Sequence, residues 1–540
     1  MNKKYLIAAI VIVIIIGVGA FAFSNTGNTT SGGASVNVDA NALEDMGNLV
    51  MNASEESKEK GLISASASDL NSILVTNNGK LTLKDSVVNK TGDTATSGDD
   101  ADFYGVNSAV LVNTNGSLDI SNVEINTNSK GSNGIFVTNS EASTSSSGGD
   151  AGQGGAPDAA SGNASQGAGS QPPEATGNGS QQGGDDGQPP EATGNGSQQG
   201  ENGGQPPEMP SGEGSGEGGQ APGNGGGDPS GASDVSGNTE ATIKNVKITT
   251  HSDKSRGLDA TYKGKINAEN VEINTDGQSC AALATDRGEG EVHVKNSLIN
   301  TGVSKESGRG SPLIYSTGNI TVDNTQGTSY VSQIACIEGK NSIEVKNSDL
   351  TGYAEGNRKD GDAYVDLGGV FIYQSMSGDA DVGTSLFNAK DSKLSIAENS
   401  SVYKEAPMFH VTNTACVIDL DNTELSFGSG TFLEIAGQNQ WGTTGSNGGV
   451  AELNTNNEKI DGNVIVDNIS SLNWTMKNTE FKGQINSTGN TTVNVADGST
   501  WTLTGDSTVS SLAVSGNIEY GDYSITVNGQ KYDSSNPYKG

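Results

Sequence analysis

The chain of 540 residues is poor in several things at once. Cysteine occurs three times, at positions 280, 336 and 416, with no CxxC spacing. That leaves neither an even disulfide framework nor a zinc-binding knuckle. Aromatic residues make up only 5 %, too few for the large aromatic cores of ordinary enzymes of this length. Lysine and arginine total 30 against 64 aspartates and glutamates, a formal net charge of −34. A chain so acidic is repelled by nucleic acid and by anionic membrane surfaces, so neither is a partner. No helix-period pattern is sustained beyond a turn or two near residues 42–60. What the chain does have is glycine (77 residues) and many Asn, Ser and Thr, a composition suited to many short strands joined by turns.

Two segments stand apart. Residues 6–23 are an uninterrupted apolar run behind Lys3 and Lys4. At about 1.5 Å per residue such a run nearly spans a bilayer, yet Ala20-Phe21-Ala22 also reads as a cleavage site. Residues 1–23 are therefore a signal peptide or a membrane anchor, and all that follows is placed outside, touching the cell's own membrane only through this segment. Residues 140–237 hold ten of the thirteen prolines, thirteen carboxylates, no Lys or Arg and no aromatic ring. "QPPEATGNGSQQG" occurs there twice, from Gln171 and from Gln188. Such a composition cannot form a core and reads as a disordered insertion in one turn.

Elsewhere a phrase recurs: "LTLKDS", "LDISNV", "ATIKNV", "INAENV", "VHVKNS", "ITVDNT", "IEVKNS", "FNAKDS", "IDLDNT", "WTMKNT". Aligned on its Asn or Asp (Asp85, Asn122, Asn245, Asn270, Asn296, Asn324, Asn347, Asp391, Asn422, Asn478), it is apolar two and four residues earlier in all ten copies and polar between. That period of two marks a strand with one buried face. The anchor is Asn or Asp because these tolerate the left-handed backbone of a tight corner. An apolar residue returns three positions later, with Gly327 the one exception, so a second strand follows, and a third appears as "GIFVTN", "PLIYST", "GVFIYQ" or "PMFHVT". Between Asn245 and Asn347 the anchors lie 23 to 28 residues apart, enough for three short strands and their turns.

The pattern resembles right-handed parallel β-helices of the pectate-lyase-like superfamily, whose coils also stack asparagines at a two-residue corner. The resemblance implies an all-β fold: a single three-sheet solenoid of about 15 coils, roughly 70 Å long at ~4.8 Å per strand. Its parts would be a linker and N-terminal cap over 24–61, first coils over 62–139, the insertion at 140–237, and remaining coils with a C-terminal cap over 238–540. Residues 497–516 look like the closing coils of autotransporter passengers.

The third strand breaks the alternation, being apolar at adjacent positions. Its outer half is either covered by loops or offered to a partner. In polysaccharide-active β-helices the sugar lies along a sheet face flanked by long loops. The resemblance therefore points to Tyr315, Phe371, Tyr373 and His410 as ligand-binding residues. Three acidic stretches supply the oxygen ligands calcium uses: Asp99, Asp100 and Asp102; Asp360, Asp362 and Asp366; Asp379 and Asp381. Solvated acidic loops are the other reading, and no cofactor is required. Asn274-Thr275-Asp276-Gly277 matches a polygalacturonase motif, but its companion motifs are missing. Arg256, Arg287, Arg309 and Arg358 fall in variable loops outside any lyase motif. The expected function is non-catalytic binding of a glycan or a surface protein by an adhesin-like, exported protein. A calcium-dependent polysaccharide lyase is the alternative, and a spacer rod the third.

Overall fold

The computed structural model describes residues 33–34, 36–96, 98–141, 230–232, 235–305, 309–360 (Asp360 in its backbone only) and 363–539. The apolar run at 6–23, most of the 140–237 insertion and Asp362 lie outside the described residues. Among the described residues no helix is long and apolar enough to cross a membrane.

The chain is nearly all β, and its strands stack in parallel into one sheet of 21 strands and another of 13. In the larger sheet each recurring phrase is a strand: Lys80–Thr91 pairs with Ser117–Asn128, Glu240–His251 with Lys265–Asp276, and so on toward the C-terminus. All ten anchor residues have φ between +47° and +57°. The strand therefore turns a corner at each anchor, and Lys265–Asp276 pairs with Glu291–Lys295 before Asn296 and with Leu298–Thr301 after it. All twenty apolar residues two and four positions before the anchors are buried in one continuous core. No single repeat could bury them; its neighbours above and below do.

Two corners escape the recurring phrase: Lys60, at φ +55° between Glu55–Glu59 and Gly61–Ala65, which both pair with Lys80–Thr91, and Asn457. Asn457 also has positive φ (+55°), but the apolar position two residues before it holds Thr455. That side chain is buried yet hydrogen-bonded, accepting from the Trp474 indole N–H and the Thr479 hydroxyl, both at 3.1 Å. Parallel pairing also begins earlier than position 62, since Glu44–Gly47 pairs with Gly61–Ala65. The short helical turn near 42 is only the 3-10 turn Ala40–Ala42.

The core changes along the stack. Toward the N-terminus it is Ile, Val and Leu; from Phe387 onward a file of rings runs through Phe409, Phe432, Trp474 and Phe481 to Trp501. Successive centroids there are 4.7 to 6.0 Å apart. At the C-terminal end Ser524–Val527 folds back antiparallel on Gln530–Asp533, which blunts an otherwise open parallel edge.

Residues 140–237 interrupt the chain but not the pairing. Ser117–Asn128 and Glu240–His251 are direct neighbours over ten pairs, five on each side of the Asn122/Asn245 corner, and Ile135–Thr138 pairs directly with Leu258–Thr261. The three cysteines are free and buried. Burial pushes the Cys280 and Cys416 thiols up to about 12, so they behave as small apolar groups.

Candidate functional site: the outer face of the 13-stranded sheet

The doubly apolar third strands form the 13-stranded sheet. In Val370–Tyr373 all four side chains are buried, in two directions. Val370 and Ile372 enter the main core, whereas Phe371 and Tyr373 join a second cluster outside the sheet with Cys336 and Trp441, and half-buried Tyr315 packs against it. Ring centroids are 4.7 Å apart for Phe371 and Tyr373 and 4.6 Å for Tyr373 and Trp441. Trp441 comes from the loop after strand Thr431–Ile435, and the Arg358 guanidinium lies 5.4 Å over its ring.

Of the two readings of the outer half, coverage by loops holds at Phe371 and His410. Phe371 is 2 % exposed and His410 3 %. The segment between residues 353 and 369 and the Trp441 loop cover them. His410 Nδ1 is 2.8 Å from the Leu367 carbonyl and its Nε2 is 2.7 Å from the Gln438 amide nitrogen. With Nδ1–H donating, Nε2 accepts, so the ring is a brace between two loops. Of the four ligand-binding residues named from sequence, Tyr315 and Tyr373 border open space, Phe371 lines a smaller adjoining recess of about 60 Å³, and His410 lies behind them.

That space is a cleft of about 130 Å³ whose wall mixes rings with charge: Tyr315, Tyr373 and Trp441 beside Arg256, Glu338 and Asp379. The helix α1 (Gly98–Tyr104) closes one side. The residues read as a loop around Asp99 are thus helical, with Asp99 and Asp100 in the first turn, where carboxylates are favoured by the helix dipole. Asp102, one turn on, is buried. Its two oxygens take Arg256 Nη1 at 2.5 Å and Lys254 Nζ at 3.0 Å. Arg256 Nη2 reaches Asp286 Oδ2 at 2.8 Å.

Electrostatics follow from this packing. Burial opposes charge on Arg256, but Asp286 and Asp102 outweigh it and hold the guanidinium above its ordinary value. Burial would also raise Asp102, yet Arg256 and Lys254 hold its carboxyl below the usual range. Asp259, fully buried, and Asp286 are both raised, first by burial; Asp286 adds its repulsion at Asp259, while Arg256 partly offsets burial at Asp286. Glu338 is also raised by burial, although the Ser375 and Tyr315 hydroxyls donate to it, Tyr315 at 2.9 Å. The cleft therefore carries carboxyls shifted in both directions, down at Asp102 and up at Glu338.

The acidic stretches are engaged with protein donors. Asp379 pairs with Arg287, whose guanidinium also lies 4.0 Å over the Phe103 ring. Asp381 pairs with Lys340 at 2.8 Å. Asp366 accepts the backbone N–H groups of Asn357 and Arg358, each at 3.0 Å, while burial raises it. Asp360 contributes its backbone to the two-residue pairing of Lys359–Asp360 with Ala363–Tyr364. Among the described residues no group of three or more His, Cys, Asp or Glu side chains gathers to hold a metal ion. Of these carboxylates, Asp102, Asp379 and Asp381 meet lysine or arginine.

Arginine is what sequence reasoning missed. The chain has four, and all belong to this region: Arg256 and Arg358 in the cleft wall, Arg287 on Asp379, and Arg309 beside wall residue Gly310. Taken one at a time they sit in variable loops; their confinement to residues 256–358 of a chain that uses lysine elsewhere was the available signal. No family model and no curated protein matches the chain.

Proposed function

We propose that the protein is an exported, cell-surface glycan-binding protein, built as a right-handed three-sided β-helix of the pectate-lyase-like kind, that holds its ligand at this cleft without cleaving it. One observation carries the reading: on a surface otherwise tiled with lysine and carboxylate, this is where aromatic rings, tyrosine hydroxyls and buried, mutually neutralised charges meet at an opening. Rings stack on sugar faces, and fixed carboxyls and hydroxyls bind sugar hydroxyls. Arg256, Lys254 and Arg287 already have carboxylate partners, so the ligand that fits is a neutral polyhydroxyl. At about 130 Å³ the cleft is smaller than the ~300–1,000 Å³ of enclosing small-molecule pockets, which suits grip on one unit of a longer chain. Residues 6–23 would direct the protein outward, as anchor or as removed signal.

The test is retention on a panel of neutral and acidic polysaccharides. Retention on neutral glycans, lost in Trp441→Ala and weakened in Tyr315→Phe, is the expected result. Equal retention of wild type and Trp441→Ala would remove the cleft from the function. A second reading, a polysaccharide-active enzyme, is favoured by Glu338, a carboxyl raised by burial and set beside a tyrosine hydroxyl at the cleft. It predicts new reducing ends or unsaturated products that vanish in Glu338→Gln. The calcium-dependent lyase version further requires that chelation abolish them.

A further inference from the structure

The cleft has a smaller annex. A recess of about 60 Å³ adjoins it, and Tyr315, Tyr373 and Trp441 belong to the walls of both. Phe371 and the Cys336 thiol complete its apolar side. At ~30 Å³ per water in the liquid it has room for about two waters, and it is too small for a sugar ring.

The polar side chains of its wall are already engaged. Gln333 Oε1 accepts the Ser332 hydroxyl at 2.6 Å, and its Nε2 donates to the Asp366 carbonyl at 2.8 Å. The Asp366 carboxyl takes the N–H groups of Asn357 and Arg358, and the Tyr315 hydroxyl donates to Glu338. The Trp441 indole N–H differs: it is buried and has no acceptor among the described residues. The other two tryptophans do have one, Trp474 in the Thr455 hydroxyl at 3.1 Å and Trp501 in the Gly483 carbonyl at 3.0 Å. A buried donor without a partner is where an acceptor brought by a ligand gains most.

The occupant that fits brings one acceptor, no donor and an otherwise apolar surface. A sugar hydroxyl fails, because its own O–H would be buried among rings without a partner, whereas a carbonyl bearing a methyl group meets all three demands. We propose that the recess takes the acetyl group of an acetylated sugar, N- or O-linked, whose ring lies in the cleft. The methyl packs against Phe371 and Cys336, and the carbonyl oxygen accepts from the Trp441 indole. This rests on the reading of the cleft as a glycan site and narrows it from neutral glycans at large to acetylated ones.

The experiment measures the affinity of the full-length chain for matched glycans: chitohexaose against cellohexaose, which carries a hydroxyl in place of each acetamido group, and O-acetylated glucomannan before and after mild alkali. At least about tenfold tighter binding to the acetylated member of either pair is the expected result, and the pair that shows it tells the N-linked source from the O-linked one. Equal binding within both pairs overturns the inference and leaves the cleft reading standing; no binding to any glycan takes both down. Trp441→Phe keeps a ring over Phe371 and Tyr373 but removes the N–H, and Cys336→Met fills the recess. Each should cut the preference to under about threefold with circular dichroism unchanged, and a preference kept in either overturns the placement. In saturation-transfer NMR on the wild type the acetyl methyl should be the most strongly saturated ligand group; saturation spread evenly over the sugar also overturns it.

Discussion

The two large sheets handle charge in opposite ways. Along the 21-stranded sheet Lys244, Glu269, Lys295, Asp323 and Lys346 stand on consecutive strands, and Lys295 meets Glu269 at 3.3 Å with side chains 55 % and 37 % exposed. Outside the 13-stranded sheet, Arg256 joins Asp102 and Asp286 with all three buried. In water an ion pair adds little beyond register, because solvent screens it and two long side chains lose freedom. Out of water each charge depends on its partner, and guanidinium, with its planar fork, serves two carboxylates at once. Lysine thus dominates where the protein meets solvent, with Lys90 a buried exception, while arginine gathers around the cleft.

Breaking the buried triad should show the contrast most sharply. Arg256→Met leaves Asp286 buried without its counter-ion and Asp102 with Lys254 alone, and a loss of about 3–5 kcal/mol is expected in denaturant unfolding. A loss below about 1 kcal/mol would erase the distinction between the sheets. Trp441→Ala opens the lid over Phe371 and Tyr373; about 3 kcal/mol is expected for truncating so large a buried ring, read as a fall in Tm together with loss of glycan retention.

Glu458, behind the Asn457 corner, tests the same rule for a lone charge. Its carboxyl is pushed up from 4.5 to about 7 by burial, only partly offset by the Thr423 N–H at 2.8 Å. The folded state therefore keeps this proton after the unfolded chain has lost it. Stability is undiminished below about pH 4.5 and falls as the pH rises through about 7. Glu458→Gln should then raise Tm relative to wild type at pH 8 and give no gain at pH 4; an equal shift at both would refute the assignment. The smallest effect belongs to the open ladder: Glu269→Ala should cost under about 1 kcal/mol, less still at 1 M salt.

The corners were legible in sequence because they combine two independent signals, a period of two and a residue type that tolerates positive φ. Where one signal failed the corner was lost, as at Asn457, whose inward Thr455 is polar but satisfied by hydrogen bonds. The outer cluster was only half legible. Adjacent apolar residues in "GVFIYQ" announced a second buried face, but its lid, Trp441, comes from a loop about 70 residues away with no periodicity. The carboxylates of Asp99 to Asp102 were visible as composition. Their partners were not, because Lys254 and Arg256 lie beyond the insertion and only strand pairing brings them near.

That pairing across the insertion has a consequence in time. The strand Ser117–Asn128 finds its neighbour in Glu240–His251, and between residues 139 and 240 the ribosome must add about 100 residues. At about 5–20 residues per second this is a wait of roughly 5–20 seconds, during which the newest edge of the growing stack has nothing to add to it. Every other step between the corners from Asn245 to Asn347 brings its next strand within about 30 residues, a few seconds at most. The insertion is a pause written into the growth of the sheet, and the edge most open to a wrong partner is the one it leaves waiting.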